Sequence, residues 1–134
     1  MNTISSNLMM KNLAFTNLKV KRDFSLSNDI EINGSFDVKF ENVNDDEINV
    51  ILSYNAKSKN NEINIEVELK GSFVAHDLTD NDVKEYLLHV NTIAIMFPYL
   101  RSQISLITTQ PGLIPIQIPI VNAIALAKKA GFNA

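Results

Sequence analysis

Apolar and polar residues alternate along the first half of the chain in four stretches. The cleanest covers residues 30–41. Ile30, Ile32, Phe36, Val38 and Phe40 fall on one parity, and Glu31, Asn33, Ser35, Asp37, Lys39 and Glu41 on the other, which is the period of a half-buried strand. Gly34 sits on the apolar side and marks a bulge or a close backbone approach. Polar turns at 42–46 and 57–61 bound a second stretch, 47–57, with Ile48, Val50, Leu52, Tyr54 and Ala56 on one face. A third, 62–74, sets Ile63, Ile65, Val67, Leu69 and Phe73 against Asn64, Glu66, Glu68, Lys70 and Ser72. The stretch that comes first in the chain, 12–27, changes phase: Leu13 and Phe15 share one parity, and Leu18, Val20, Phe24 and Leu26 the other. A β-bulge near residues 16–17 and a pair of short strands with a kink both account for that break. Short polar connections between the four predict an antiparallel meander with one face to water. Residues 1–11, polar apart from Ile4, Leu8, Met9 and Met10, read as a frayed terminus or one short helical turn.

After residue 75 the period changes. Thr79 with Asp82 three positions on has the form of a helix N-terminus, and a short helix is expected over 80–89. A longer one is expected over 92–108, where Ile93, Met96, Phe97, Leu100, Ile104 and Ile107 recur at steps of three and four. Ile95, Tyr99 and Leu106 lie off that stripe. A helix apolar on two sides needs cover on two sides. One small sheet supplies one cover, and a second copy of the chain is the natural source of the other. Pro98 lacks an N–H and predicts a kink or a late start. Residues 110–121 carry Pro111, Pro115 and Pro119, which preclude regular helix, yet six of the twelve are Leu, Ile or Val. An extended segment this apolar must pack on something or bind something. A short helix at 122–129 with Gly131 as its cap ends the chain. The pattern as a whole is α+β: a four-stranded antiparallel meander packed on a long C-terminal helix, with a short second helix, in one domain spanning residues 1–134.

Composition narrows the chemistry. The chain has 134 residues, 46% hydrophobic and 20% charged, with a net charge of −3, the mix of an ordinary globular domain. That charge argues against nucleic acid as a partner, because phosphate binding needs clustered Lys and Arg. Cysteine is absent, which excludes disulfides, thiolate chemistry and Cys-based metal sites. His76 and His89 stand apart with no second ligand at metal spacing. Asp45-Asp46-Glu47 is a charged turn, not a calcium loop. No Gly-rich phosphate loop or nucleophile elbow is present, so an enzyme and a bound cofactor are not expected. The N-terminus lacks a basic segment followed by an apolar one, and no apolar run has transmembrane length. A cytoplasmic protein without membrane insertion is expected.

One resemblance reaches further. Ile93-Ala-Ile-Met-Phe-Pro-Tyr-Leu-Arg-Ser-Gln-Ile-Ser resembles the start of the long helix in the SecB family of bacterial export chaperones, which carries a Leu-Phe-Pro-Tyr-Ala-Arg-Glu-type motif. Phe97, Pro98, Tyr99 and Arg101 match, while Leu100 and Ser102 replace the usual Ala and acid. Pro115-Ile-Gln-Ile-Pro-Ile-Val-Asn122 is similar to the family's Pro-x-Leu-x-Leu-Pro-Pro-Val-Asn segment. Pro115, Pro119, Val121 and Asn122 match, and Ile120 replaces the second proline. The order of elements fits along nearly the whole chain; the motifs are specific over about residues 92–126.

The resemblance implies a homotetramer, a dimer of dimers with the long helices between two sheets. It implies an ATP-independent chaperone that holds unfolded client polypeptides in an apolar groove and keeps preproteins competent for translocation. By carry-over that groove comprises Phe15, Phe24, Phe36, Val38, Phe40, Leu113, Ile116 and Ile118. Phe97, Tyr99, Leu100 and Ile104 form the core or oligomer side of the helix. Asp23 and Glu66 match acids that face the SecA motor in the export branch. Ser27 stands where another such acid is expected and Asn64 where a Leu is expected, and Lys19, Lys21, Lys39 and Lys70 dilute the negative face. No acidic tail follows Lys128 and Lys129. Two alternatives stay open: a SecB-like chaperone dedicated to the antitoxin of a toxin–antitoxin pair, and an oligomeric scaffold whose apolar loop is wholly buried.

Overall fold

The protein was examined as a computed structural model, which describes residues 7–113 and 116–133. Residues 1–6, and with them Ile4, lie outside the described residues, as does Pro115. Four strands, β1 (Leu8–Arg22), β2 (Ile32–Asn42), β3 (Glu47–Ser58) and β4 (Ile63–Ala75), form one antiparallel sheet. Along β3 and β4 the alternation is complete: every second residue from Ile48 to Ser58 and from Ile63 to Ala75 is buried. Burial of each large apolar side chain here contributes about 1.5–3 kcal/mol, which makes this pair the centre of the core. The opposite face carries Glu66, Glu68, Lys70 and their neighbours, and stays partly open to water.

The sheet order is β1-β4-β3-β2, so only β2, β3 and β4 form a meander. The four-strand meander expected from the sequence is corrected by this order. β1 crosses over to pair with β4, because residues 23–31 make a long connection and not a tight hairpin turn. The start of β1 is also earlier than expected. Residues 8–11 are strand, not a frayed end or helical turn, and Leu8 pairs with Ala75. The expected bulge is present: Phe15 pairs with Leu69 and Leu18 with Val67, so β1 spends one more residue than β4 between these pairs. The extra residue re-phases β1, putting Leu13 and Phe15 on the same face as Leu18 and Val20. A further register shift lies between Met10 and Asn12, which is why residues 8–11 do not read as an alternating strand. Gly34 keeps regular register with Ala56, so it is no bulge. A Cβ there would fall 2.5 Å from the Tyr54 ring carbon Cζ, and the glycine gives that ring its space.

Residues 81–107 form one continuous helix in three parts: α1 (Asn81–Tyr86), a π-helical turn (Leu87–Asn91) and α2 (Thr92–Ile107). Asp80, not Thr79, caps its N-terminus; the carboxylate accepts from the Asp82 N–H at 2.9 Å and the Val83 N–H at 3.4 Å. The expected short and long helices fuse because the wider π turn carries Leu87, Leu88 and Val90 into the core without breaking the helix. Ile93, Met96, Phe97, Leu100 and Ile104 are buried as the spacing predicts. Met96 packs onto Gly71, where an added Cβ would lie 3.2 Å from its Sδ. Pro98 does not delay the helix. It lies on the exposed side together with Ala94, so the carbonyl it leaves without an N–H partner is not trapped in the core. The last helix, α3 (Ala123–Lys129), is capped by the Asn122 side chain, which accepts from the Ala125 N–H at 3.1 Å. It ends on Gly131 at φ +103°, with the Phe132 N–H bonded to Ala127 O and the Gly131 N–H to Lys128 O, a Schellman motif.

Candidate functional site

The surface with unspent apolar area is the outer side of α2 and its flanks. Ile95, Tyr99 and Leu106, the residues off the core stripe, are exposed, Leu106 by 67%. Two grooves border them. One, about 670 Å³, runs between α2 and the proline-rich loop; Pro98, Arg101, Ser105 and Leu106 line one wall and Ile116 and Ile118 the other. The second, about 340 Å³, lies between α2 and β1 and includes Phe15, Pro98, Tyr99 and Leu106. Pro98, Ser102 and Leu106 belong to both, so the outer ridge of the helix separates a mainly apolar groove on the β1 side from a mixed one on the loop side, where Arg101, Ser105, Thr109 and Gln117 alternate with the apolar residues. β1 continues the apolar side, because as an edge strand it lies at the margin of the core: Met10 and Leu18 face the core side yet are 40% and 49% exposed.

The loop wall is fixed at both ends. Gln110, Pro111, Gly112 and Leu113 make a turn closed by the Leu113 N–H to Gln110 O at 3.1 Å, with Gly112 at φ +74°. Proline second and a positive-φ glycine third is a type II turn. Thr108, fully buried, donates its hydroxyl to Ile104 O at 2.7 Å and accepts from the Ile116 N–H at 2.9 Å. Ile118 then inserts into the core. The 110–121 segment is thus both packed and open: Ile118 is buried, Ile116 half-buried and Ile120 84% exposed.

The other residues expected in a groove separate. Phe36 and Val38 lie on the inner face of β2 beneath the helix, Val38 buried and Phe36 packed on Tyr54 and Phe97 with ring centroids at 4.9 and 5.4 Å. Phe40 lies at a different hollow, edge-on to His89 at 4.6 Å. His89 in turn stacks on Phe132 at 5.0 Å, and its Nδ1 lies 2.8 Å from Glu85 O. Leu113 packs on the core. Phe24 is wholly exposed on the crossover, beside Arg22 and Pro111. Phe15, Ile116 and Ile118 are therefore the residues of that set that meet α2's outer side. Of the helix residues, Phe97, Leu100 and Ile104 are core and Tyr99 faces outward. The sequence reading missed the helix contribution to the groove, Pro98, Arg101 and Leu106, although the off-stripe position of Leu106 was the available signal. Thr108 and Arg22 gave none, because their partners are backbone atoms, which carry no side-chain pattern, and the Pro111 carbonyl is 89 residues from Arg22.

Several acids of the outer sheet face are paired with lysines. Lys19 reaches Glu66 at 3.1 Å and Lys70 reaches Glu41 at 3.4 Å. Asp23 sits apart, at the start of the crossover, with its N–H bonded to Glu62 O at 2.8 Å. Glu62 also accepts from both the hydroxyl and the N–H of Ser27, and these hydrogen bonds hold its carboxyl below the usual carboxylate range. Among the described residues no group of three or more His, Asp or Glu side chains is arranged to hold a metal ion. No described helix is long and apolar enough to cross a membrane.

Comparison with known proteins places this geometry. No curated protein sequence matches the chain. Among solved structures, it is similar to a SecB-like chaperone from Mycobacterium tuberculosis, solved in complex with a ChAD peptide from the HigA1 antitoxin: TM-score 0.65, 12% identity, covering 89% of this chain and 93% of that one. A protein of unknown function from Streptococcus agalactiae aligns with TM-score 0.44 and 7% identity over 84% of this chain and 97% of that one. The first likeness shows the four-stranded sheet, long helix and short helix to be a SecB-like fold. The profile of the family described as "Preprotein translocase subunit SecB" matches residues 3–131, nearly the full length, and the chain belongs to the SecB family.

Proposed function

We propose that the protein is an ATP-independent chaperone that holds unfolded or partly folded polypeptides against the surface described above and keeps preproteins translocation-competent in the bacterial cytoplasm. Membership of the SecB family supports a chaperone role. The observation that carries the reading is the pair of grooves meeting at Pro98, Ser102 and Leu106, the β1-side one mainly apolar and the loop-side one mixed, with Leu106, Ile116 and Ile118 beside Arg101, Ser105, Thr109 and Gln117. Such a surface binds by removing client apolar area from water, at about 25 cal/mol per Å², and has no need of a reacting group. Phe15, Ile116 and Ile118 are the contacts we assign, with Phe24 and Leu113 at the margin and Phe36, Val38 and Phe40 reached only if the client extends along β2. In this reading a homotetramer, a dimer of dimers, covers Ile95 and leaves both grooves to the client.

A second reading, a chaperone dedicated to an antitoxin, rests on the outer sheet face. A SecA-contacting surface built on Asp23 and Glu66 should be negative, yet Glu66 is paired with Lys19. The similar fold from Mycobacterium tuberculosis holds an antitoxin peptide, which gives that reading equal standing. Isothermal titration separates the cases. Binding to several unrelated reduced, unfolded polypeptides and not to their folded forms, with a negative heat-capacity change, is the outcome for a general chaperone. Binding to a single unfolded client is the outcome for a dedicated one. Binding to none overturns the general chaperone and points to an internal apolar loop or a dedicated client.

A further inference from the structure

Arg22, the last residue of β1, faces inward opposite Ile63 and ends in neither the core nor an ion pair with a described carboxylate. Its guanidinium donates to three backbone carbonyls: Nε to Asp23 O at 3.1 Å, Nη1 to Pro111 O at 3.1 Å and Nη2, the weakest, to Phe24 O at 3.4 Å. Two of these belong to the crossover, residues 23–31, and one to the Pro111–Gly112 turn, 89 residues further along. The hollow between them, about 440 Å³, is lined by Arg22, Asp23, Phe24, Gln110 and Pro111.

The turn type explains why Pro111 has a carbonyl to offer. In a type II turn the central peptide is flipped relative to type I, so the carbonyl of the second residue, which makes no bond inside the turn, points to the opposite side. Gly112 at φ +74° is what holds that flip. A planar guanidinium reaches several oxygens at once in a fixed fork, which a lysine ammonium on its flexible stem does not. The crossover is independently tied to the sheet through Glu62, by the N–H groups of Asp23 and Ser27. We infer that Arg22 is a positioning residue that joins the crossover and the proline-rich loop into one wall, so that the exposed ring of Phe24 and the loop-side groove hold a fixed relation to each other. This rests on the chaperone reading only for its consequence on client binding; the coupling itself stands on the three hydrogen bonds.

The test uses the full chain and two distant substitutions. In Arg22→Ala, amide hydrogen exchange is expected to quicken about tenfold, the loss of one or two charge-assisted bonds, at Leu113 and also at Asp23 and Ser27. Arg22→Lys should restore only part of that protection. Gly112→Ala is the sharper variant. Its added Cβ meets nothing within 4 Å, so it acts on φ alone, turns the Pro111 carbonyl away and should loosen Asp23 and Ser27 as well as Leu113. If Gly112→Ala quickens exchange at Leu113 and leaves Asp23 and Ser27 at wild-type rates, the two segments are not joined and the inference is overturned. The dissociation rate of a reduced, unfolded polypeptide should rise in Arg22→Ala and Gly112→Ala alike. Should the wild-type chain bind no such polypeptide, the general-chaperone reading fails while the exchange result still decides the coupling.

Discussion

Gly34 shows how much a single position settles. Its hydrogen lies where a Cβ would meet the ring of Tyr54, which in turn packs at a tilt on Phe36, itself packed against Phe97 of the helix. Gly34→Ala forces that column of rings to shift, and overpacking of this kind costs about 1–3 kcal/mol. Urea denaturation should show it as a lower midpoint with unchanged slope. In a double-mutant cycle with Tyr54→Ala the cost should largely vanish, because the two groups compete for one space; a full, additive penalty would show that backbone freedom, not the ring, governs the site. The sequence marked Gly34 as a special position but left open which kind. Side-chain parity reports the face a residue occupies and says nothing of how a neighbour leans across it. The same limit hid Arg22 and Thr108, whose partners are backbone carbonyls and amides that leave no side-chain pattern to read.

At the level of the element, α2 is legible on its buried side and open on the other. Steps of three and four predicted the stripe from Ile93 to Ile107, since those side chains must share one face whatever covers them. β3 and β4 were legible for the equivalent reason at period two. The order of strands was not, because a period fixes which way a side chain points and not which strand lies alongside. Pro98 belongs to both sides of α2. It removes one helical hydrogen bond, a cost of about 3 kcal/mol or more in a regular helix interior, yet lines both grooves. Pro98→Ala should therefore raise the melting temperature, because Ala94 recovers its N–H partner and Ala is the better helix former. Affinity for unfolded polypeptide should fall, because the pyrrolidine wall is lost. A variant that gains stability with no change in affinity would remove Pro98 from the binding surface and leave it as a tolerated defect. Stability surrendered at a functional surface is a common trade.

On the scale of the whole molecule, the sheet has a compact half and a remote strand. β2, β3 and β4 follow one another with turns of a few residues, whereas Arg22 meets Ile63 and Leu8 meets Ala75 only after the crossover and the meander have been traversed. Contacts between neighbours in sequence close cheaply and those between distant segments slowly. Pulse-labelled hydrogen exchange during refolding should find β2–β4 protected first and β1 last; simultaneous protection of all four strands would contradict that order.

During synthesis the difference becomes a matter of seconds. At about 5–20 residues per second, the ribosome releases Leu8 to Arg22 several seconds before β4 exists to receive them. For that interval the chain presents an extended strand carrying Leu13, Phe15, Leu18 and Val20 with no partner. Under the proposed chaperone function, those are the features of a segment that a finished copy of this same protein would hold. On that proposal, a newborn chain would itself be among the first clients that an existing population meets.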